Sequence, residues 1–236
     1  MLGLFLSRSL FCLFLFFFIG TAPLEAQTNS SSKGYESLVA LFYEWREFEN
    51  PPLLNGAPNY TKNSFNKRHA EFKRLRARLE KIDISGWEKA QKIDLDVVLA
   101  EMNGYDFNYR VLRPWQRDPA FYQTIWTYQS DVPAHEGPTN HAVLELWTYS
   151  FPLTKKEKER LTKELSVIPP LLKQARKNLT GNAKDLWVAG IKNLEKQEKV
   201  LVGLQKKIKD KPPALVAALQ KAEQETSFFV AWLKKE

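Results

Sequence analysis

Apolar residues recur every three to four positions along most of the chain, a spacing that places them on one face of an α-helix. No segment alternates apolar and polar residues convincingly as a half-buried strand would, and the nearest approach, Phe107–Leu112, is short. The pattern therefore predicts an all-α protein, a multi-helix array or lobe of about seven to nine mostly antiparallel helices. The predicted helices are Tyr35–Phe48, Ser64–Ile82, Ser85–Tyr109, Pro138–Tyr149, Thr154–Val167 with a continuation to Leu179, Ala183–Ile208, and a last helix that starts at Lys211-Pro212-Pro213.

Local signals mark the ends of several of these helices. Ser85 with Glu88, and Thr154 with Glu157, each fit a capping box, in which the two side chains satisfy each other's backbone amides. The Pro169-Pro170 pair predicts a kink or a restart in the helix that follows Thr154, because proline lacks the amide donor that a helix interior needs.

The first 26 residues have the organisation of a secretory signal peptide. Arg8 gives a positive start, Leu10–Ile19 is an unbroken apolar run, and Ala26 ends a segment that resembles a cleavage site. That run is shorter than the roughly twenty residues that a membrane span needs, although an uncleaved N-terminal anchor is the alternative. We predict a signal peptide over 1–26, a disordered lead-in over 27–34 and a helical domain over 35–236. The protein is expected to be exported, periplasmic or extracellular, with no transmembrane segment in the mature chain.

Cysteine content and charge narrow the class of protein further. Cys12, the only cysteine, lies inside the signal, so the mature domain is expected to rely on its core without disulfides. The formal charge is +8, but the lysines are interspersed with glutamates along helical segments, which is typical of solvated helix faces. Nucleic-acid binding would need basic residues gathered on one face beside aromatic platforms, so no nucleic-acid partner is expected.

The stretch Tyr105–Tyr128, here called the aromatic segment, is the least ordinary part of the chain, because it is rich in aromatic residues and arginines. Tyrosine and tryptophan suit the wall of a wet cleft, and arginine can stack on rings while it offers a planar donor fork to a carboxylate. One interpretation is a cleft wall that meets an anionic or peptidic ligand. The alternative is an aromatic corner that ties two helices across a proline-rich turn. The candidate substrate-facing residues are Arg113, Trp115, Arg117 and Tyr122.

His135, Glu136 and His141 form a weaker candidate site for a metal ion. The histidines are six positions apart with Gly137-Pro138 between them, whereas an H-E-x-x-H motif needs them four apart on one helix. We therefore predict no metal site in this chain and keep these three residues as the alternative. The sequence also lacks a G-x-S-x-G turn and a glycine-rich phosphate loop, so no catalytic residue is predicted. His69 lies off the apolar stripe of its helix and is predicted to be a solvated surface residue.

The run Lys92–Tyr122 resembles a segment of a bacterial family, the domain of unknown function 885 (DUF885). It has an acidic I-D-x-D step before an apolar helix and then a turn of the form R-P-W-x-R-x-P-x-x-Y, here Arg113–Tyr122. Similar features keep the same order elsewhere, at Glu44-Trp45-Arg46, at Leu79–Asp83, and from Pro169 or Pro170 through Leu179. The resemblance spans most of the mature chain.

This resemblance implies an exported helical protein that is similar to clamshell zinc metallopeptidases. In such enzymes two histidines and a glutamate hold the zinc, and the glutamate of H-E-x-x-H activates the water. This chain has no H-E-x-x-H, so the resemblance covers the N-terminal half of the family only. No metal ligand is carried over, and zinc is implied only for the full-length family. The hypotheses are an N-terminal lobe of a metallopeptidase-like hydrolase and, as the alternative, a non-catalytic helical binding or scaffold protein.

The C-terminal sequence SFFVAWLKKE is an aromatic-rich helix end without a glycine or proline stop. Such an apolar end is expected to pack on a partner, either the missing C-terminal half or another chain. The residues expected to make that contact are Phe228, Phe229, Trp232 and Leu233. A peptide is the candidate ligand of the cleft wall.

Overall fold

Helices dominate the computed structural model, which describes residues 25–129, 142–181 and 183–236, and the predicted all-α class is confirmed. The long helices are α1 Glu25–Glu49, α2 Lys62–Leu79, α3 Lys89–Phe107, α5 Lys155–Leu165, α6 Ile168–Asn178, α7 Lys184–Lys207 and α8 Pro213–Lys235, and α4 is the single turn Pro114–Arg117. With α5 and α6 counted as two halves of one interrupted helix, the described residues form six long helices, fewer than the sequence predicts. Within those same ranges, no helix is both long enough and apolar enough to cross a membrane.

Two of the local helix signals act as predicted. The Thr154 hydroxyl accepts a hydrogen bond from the Glu157 amide at 3.3 Å, and the Glu157 carboxylate accepts one from the Thr154 amide at 2.8 Å. α6 begins at Ile168, so the Pro169-Pro170 pair lies in its first turn, where the missing amides would have no intrahelical partner.

The predicted start of α3 is wrong. The helix begins at Lys89, and the Glu88 amide donates to the side chain of Gln91 at 3.0 Å. Ser85 instead donates its amide to the Asp83 carboxylate at 2.9 Å, inside the turn that precedes the helix. Glu88 is therefore the N-cap residue of α3, about one turn downstream of the predicted N-cap Ser85.

The helix predicted over Pro138–Tyr149 is wrong in the part that the structure describes, which begins at residue 142. Strand β4, Leu144–Glu145, pairs in parallel with β3, Ile125–Trp126, and a short 3₁₀ turn follows. The Leu144 amide donates to the Thr124 carbonyl at 2.6 Å. This tertiary hydrogen bond replaces the bond that the same amide would have made inside a helix.

The remaining connections are short and tightly turned. Residues Asn108–Leu112, the nearest approach to a strand pattern, continue α3 as one π-helical turn. Strands β1, Leu53–Leu54, and β2, Ala57–Pro58, form a small antiparallel hairpin. The Asn55-Gly56 turn between them has φ angles of 53° and 83°, as a tight two-residue hairpin requires. At the N-terminal end, α1 begins at Glu25, so the predicted lead-in over 27–34 falls within helical bounds.

Helices α1, α2 and α3 surround the N-terminal core. Trp45 is completely buried there, and its indole Nε1 donates to the Glu101 carboxylate at 3.2 Å. The buried members of this core are Leu38, Leu41, Trp45, Phe72, Leu75, Leu79, Trp87, Val98 and Met102.

A larger C-terminal core lies between helices α5–α8 and the aromatic segment. Its most completely buried side chains are mainly aliphatic, and α8 packs against α5, α6 and α7. Each fully buried leucine stabilises the fold by about 1.5–3 kcal/mol through the hydrophobic effect. The residues with no exposed surface include Leu161, Leu165, Ile168, Leu171, Leu172, Leu194, Leu201, Leu215, Leu219 and Phe229.

The C-terminal helix covers most of its own apolar end. Phe229 and Leu233 lie inside the C-terminal core, so the expectation that they need a partner is wrong. Trp232 is half-buried and stacks on Phe229 with ring centroids 5.7 Å apart. Phe228 points outward with 56% of its surface exposed, under the guanidinium of Arg176.

Candidate ligand-binding groove

A groove of about 460 Å³ lies where the N-terminal core meets the aromatic segment, and we call it the junction groove. Its floor is the outward face of α3, formed by Val97, Ala100 and Gly104. These residues follow one another at spacings of three and four, so they lie on one helical face. The volume falls within the range of small-molecule and peptide-side-chain sites, roughly 300–1,000 Å³.

Stacked rings form one wall of the junction groove. Phe65 and Trp115 lie face to face with ring centroids 3.7 Å apart and planes 18° apart. The ring of Tyr60 stacks on that of Phe65 with centroids 5.9 Å apart, and the ring of Tyr109 lies beside that of Trp115, also with centroids 5.9 Å apart. All four residues line the groove, together with Phe121. Aromatic pairs of this kind are worth about 0.5–1.5 kcal/mol beyond their buried area, so the wall is held in place before any ligand binds.

Backbone geometry and one tyrosine hold the aromatic segment in its folded shape. Arg113 adopts a left-handed conformation, with φ 45° and ψ 55°, and so separates the π-helical turn from α4. The Tyr122 hydroxyl donates to the Trp115 carbonyl at 2.7 Å and accepts from the Asn178 amide group at 3.0 Å. Asn178 also donates to the Tyr60 carbonyl at 2.7 Å. These bonds join α4, α6 and the loop before α2 into one support for the wall.

Two buried glutamines connect the loops to the C-terminal helices. Gln174 on α6 accepts from the Tyr60 amide and donates to the Pro58 carbonyl, both at 2.9 Å. Gln197 on α7 accepts from the amides of Thr124 at 2.8 Å and Ile125 at 3.1 Å. Buried backbone amides need such acceptors, because an unpaired one costs about 1–3 kcal/mol.

Charged side chains lie at the rim of the junction groove. Arg68 donates through Nη2 to the carbonyls of Phe48 at 2.6 Å and Glu49 at 3.1 Å, at the C-terminal end of α1. Its guanidinium also lies 4.8 Å from the centroid of the Phe48 ring. On the acidic side, Arg46 lies 2.6 Å from the Glu49 carboxylate and 3.6 Å from that of Glu101. Both rim acids therefore interact with the one guanidinium of Arg46, while Arg68 is held by backbone carbonyls and by the Phe48 ring.

Tyr105 connects the groove to the N-terminal core. Its ring makes edge contacts with Trp45 and Phe48, and its hydroxyl is buried without a hydrogen-bond partner of normal geometry among the described residues. Burial raises the pKa of Tyr105, and the nearby positive charge of Arg68 opposes that rise. The hydroxyl therefore stays protonated at neutral pH and remains a hydrogen-bond donor.

His69 lies behind the wall and not on the surface, so the sequence-based prediction of a solvated histidine is wrong. Its ring stacks on Tyr109 with centroids 3.9 Å apart and planes 7° apart, and only 9% of its surface is exposed. Burial lowers the pKa of His69, as do the charges of Lys73 and Arg110, whereas Asp106 acts in the opposite direction. The neutral imidazole is therefore the form that the fold favours.

The structure separates the four residues that the sequence nominated as substrate-facing. Trp115 lines the junction groove. Tyr122 has no exposed surface, since it lies in the core beneath the groove wall. Arg113 is exposed but lies outside the groove lining, and Arg117 packs on the turn before α7, where a Cβ on Gly181 would come within 2.6 Å of its Cγ. Ligand contact by these residues stays a prediction.

Sequence reasoning missed Arg68, Glu101 and Gly104 as groove residues. A signal for Arg68 exists in α2, where Phe65, Arg68 and Phe72 share one face at spacings of three and four. Gly104 is a further signal, because a glycine inside a long helix lowers helix stability and a Cβ there would meet no atom within 4 Å. Neither signal specifies a ligand by itself.

The alternative metal site, His135, Glu136 and His141, lies outside the described residues. Within the ranges that the structure describes, no three histidine, cysteine or carboxylate side chains are grouped closely enough to hold a metal ion.

Comparisons with known proteins give no relative for this chain. No protein-family model matches the sequence, and no curated protein and no solved structure matches it either.

Proposed function

We propose that this chain is a helical binding lobe that holds a peptide in the junction groove. The observation that carries the proposal is the groove itself, with an apolar floor on α3 and a wall of stacked rings. Apolar walls with a few fixed polar groups at the rim are the usual composition of ligand sites. The fixed arginine and the asparagines Asn59 and Asn108 provide polar groups for a peptide backbone. No catalytic step is assigned to this site.

A blocked groove provides the direct test. Gly104→Leu should fill the floor, because the new side chain would extend into open space, and α3 should keep its stability because leucine favours helix more than glycine does. We expect the full chain to bind members of a mixed peptide library and the variant to lose that binding with an unchanged or higher melting temperature.

Gly203→Leu is the matched control for this experiment. Gly203 is also an exposed glycine inside a long helix, with no atom within 4 Å of a built Cβ, but it lies on α7 away from the groove. This control should bind peptides as the unmodified chain does. Equal binding by all three proteins would place any peptide site elsewhere and would contradict the proposed function.

The second candidate is the N-terminal lobe of a DUF885-like metallopeptidase. It is favoured by the resemblance over Lys92–Tyr122 and by an apolar stripe on α3 and the π-helical turn after it, which extends beyond the groove floor. Ile93, Phe107 and Val111 are each about half exposed along this stripe, and exposed apolar faces of that kind mark contacts with further protein. In this case the junction groove would be one side of a peptidase cleft.

Zinc analysis and peptide hydrolysis separate the two candidates. A binding lobe should contain no stoichiometric zinc and should leave the bound peptides intact. A chain that contains zinc and cleaves peptides would favour the enzyme, and His135→Ala and His141→Ala would then show whether those residues hold the ion.

We also propose that the protein acts outside the cytoplasm, on the basis of its predicted signal peptide.

A further inference from the structure

We infer that the junction groove selects ligands that carry a carboxylate beside an aromatic or large apolar group, such as the C-terminal end of a peptide. This inference rests on the proposed function and specifies its ligand. It is carried by two adjacent hydrogen-bond donors, Arg68 and Tyr105, that lie among the groove residues and donate to no side chain with normal hydrogen-bond geometry among the described residues.

Arg68 has the geometry of a carboxylate-binding residue that is ordered in advance. Its Nη2 donates to two backbone carbonyls at the end of α1, its guanidinium also acts on the Tyr105 hydroxyl, and its plane is supported by the Phe48 ring. Among the described residues it forms no ion pair with Glu49 or Glu101, although all three line the groove. Because the side chain is already fixed, little conformational entropy would be lost when its guanidinium binds a carboxylate.

Tyr105 supplies the second donor. Its hydroxyl is buried beside Arg68, which acts on its pKa through charge and a side-chain hydrogen bond, but it meets no partner of normal hydrogen-bond geometry among the described residues, a costly arrangement for a buried polar group. A ligand oxygen placed there would accept from Tyr105 and from the guanidinium together. A neutral amide in the same place would offer one carbonyl oxygen as an acceptor and no negative charge to pair with the guanidinium.

The surrounding charges permit an anion at this position. Glu101 accepts from Trp45 Nε1 and lies 3.6 Å from Arg46, and Glu49 lies 2.6 Å from the same arginine. The two rim carboxylates share the single positive charge of Arg46, so an incoming carboxylate would be held by direct hydrogen bonds from the ordered Arg68 guanidinium and not by an excess of positive charge. The stacked pair Phe65–Trp115 offers the aromatic or apolar part of the ligand a rigid surface.

The first test compares N-acetyl-L-phenylalanine with N-acetyl-L-phenylalaninamide on the full chain, by calorimetric titration. The two probes differ only in the charge and hydrogen bonding of the terminal group. We expect the acid to bind about tenfold more tightly or better, since hydrogen bonds to charged groups are the stronger kind. A tripeptide with a free or an amidated C-terminal phenylalanine then distinguishes a peptide end from a small aromatic acid.

Tyr105→Phe tests the donor without removing the ring. Its affinity for the acid should fall about fivefold, as expected for one lost hydrogen bond to a charged group, while its affinity for the amide should fall less. Tyr43→Phe is the matched control, because Tyr43 is 69% exposed on α1, and it should change neither affinity. Arg68→Lys should remove most of the preference for the acid; because Arg68 also supports α1, its melting temperature is measured alongside.

Equal affinities for acid and amide, or no binding of either, would overturn this inference. The proposed function is judged separately. If amidated peptides bind and Gly104→Leu abolishes that binding, the groove remains the peptide site and only the carboxylate selectivity is wrong. If Gly104→Leu leaves peptide binding unchanged, the junction groove is not the peptide-binding site.

Discussion

The C-terminal core and the junction groove are built from different side chains and are held in different ways. Leucines at regular helical spacing fill the C-terminal core, and α8 meets three other helices there. The groove is lined by aromatic rings, and the segments around it are held by individual hydrogen bonds, which Gln174 and Asn178 donate and Gln197 accepts. Aliphatic packing can redistribute around a defect, whereas a support that depends on single polar contacts cannot.

The largest expected effect is the loss of the Gln197 contact. Gln197→Leu would leave the buried amides of Thr124 and Ile125 without an acceptor, which should lower the free energy of unfolding by about 3 kcal/mol. Chemical denaturation measures the change. Gln220→Leu, the same replacement at an exposed position on α8, should have almost no effect. Similar losses in both variants would show that the polar contact does not support this region.

Two glycines should respond in opposite directions to the same replacement. A Cβ on Gly190 would lie 2.8 Å from the Cβ of Pro119 and 2.9 Å from the Ala120 amide nitrogen, so Gly190→Ala should destabilise the fold by about 2 kcal/mol. Gly104→Ala meets open space on the groove floor and should stabilise α3 by about 0.8 kcal/mol. Thermal unfolding of both variants provides the measurement. A stabilised Gly190→Ala would mean that α7 does not approach the aromatic segment this closely.

Tyr122→Phe should have a smaller effect, about 1 kcal/mol of lost stability, because the ring stays in the core while two hydrogen bonds of its hydroxyl are lost. Denaturation midpoints measure this change. Tyr128→Phe is the control at an exposed tyrosine of the same segment. If Tyr122→Phe has no more effect than Tyr128→Phe, the hydroxyl is not needed to hold Trp115 in place.

The smallest expected effect is on the pH dependence of stability. Burial and the charges of Lys73 and Arg110 lower the pKa of His69 in the folded state, against the opposing effect of Asp106. The unfolded chain therefore binds more protons than the folded chain below about pH 6.5, so stability should fall as the pH drops from there towards the folded pKa.

His69→Phe keeps a ring at this position and removes its titration. Melting temperatures between pH 7 and pH 5 should therefore fall less steeply in the variant than in the unmodified chain. Carboxylates with lowered pKa values, such as Asp106 and Glu157, lose their contribution at more acidic pH and do not interfere in this range. Identical slopes for the two proteins would contradict the burial of a neutral His69.

The helices near the C-terminus were predictable because their signals are local. The Thr154 cap, the Pro169-Pro170 restart and the prolines before α8 each act within about one helical turn of the chain. The Pro138–Tyr149 prediction was wrong in its described part because Leu144 pairs with Thr124, a residue that a local pattern does not include. His69 was misplaced for the same reason, since Tyr109 lies forty residues further along the chain.

By itself, the sequence determined the helical class and most of the long helices, because periodicity and capping depend on near neighbours. Only the tertiary structure decided which aromatic residues meet. It brings Phe65 of α2 against Trp115 of α4, buries Tyr122, and turns Phe229 inward while Phe228 stays exposed. The junction groove combines residues from Glu49 to Phe121, so its shape and charges depend on how these distant segments pack, which spacing along the chain does not specify.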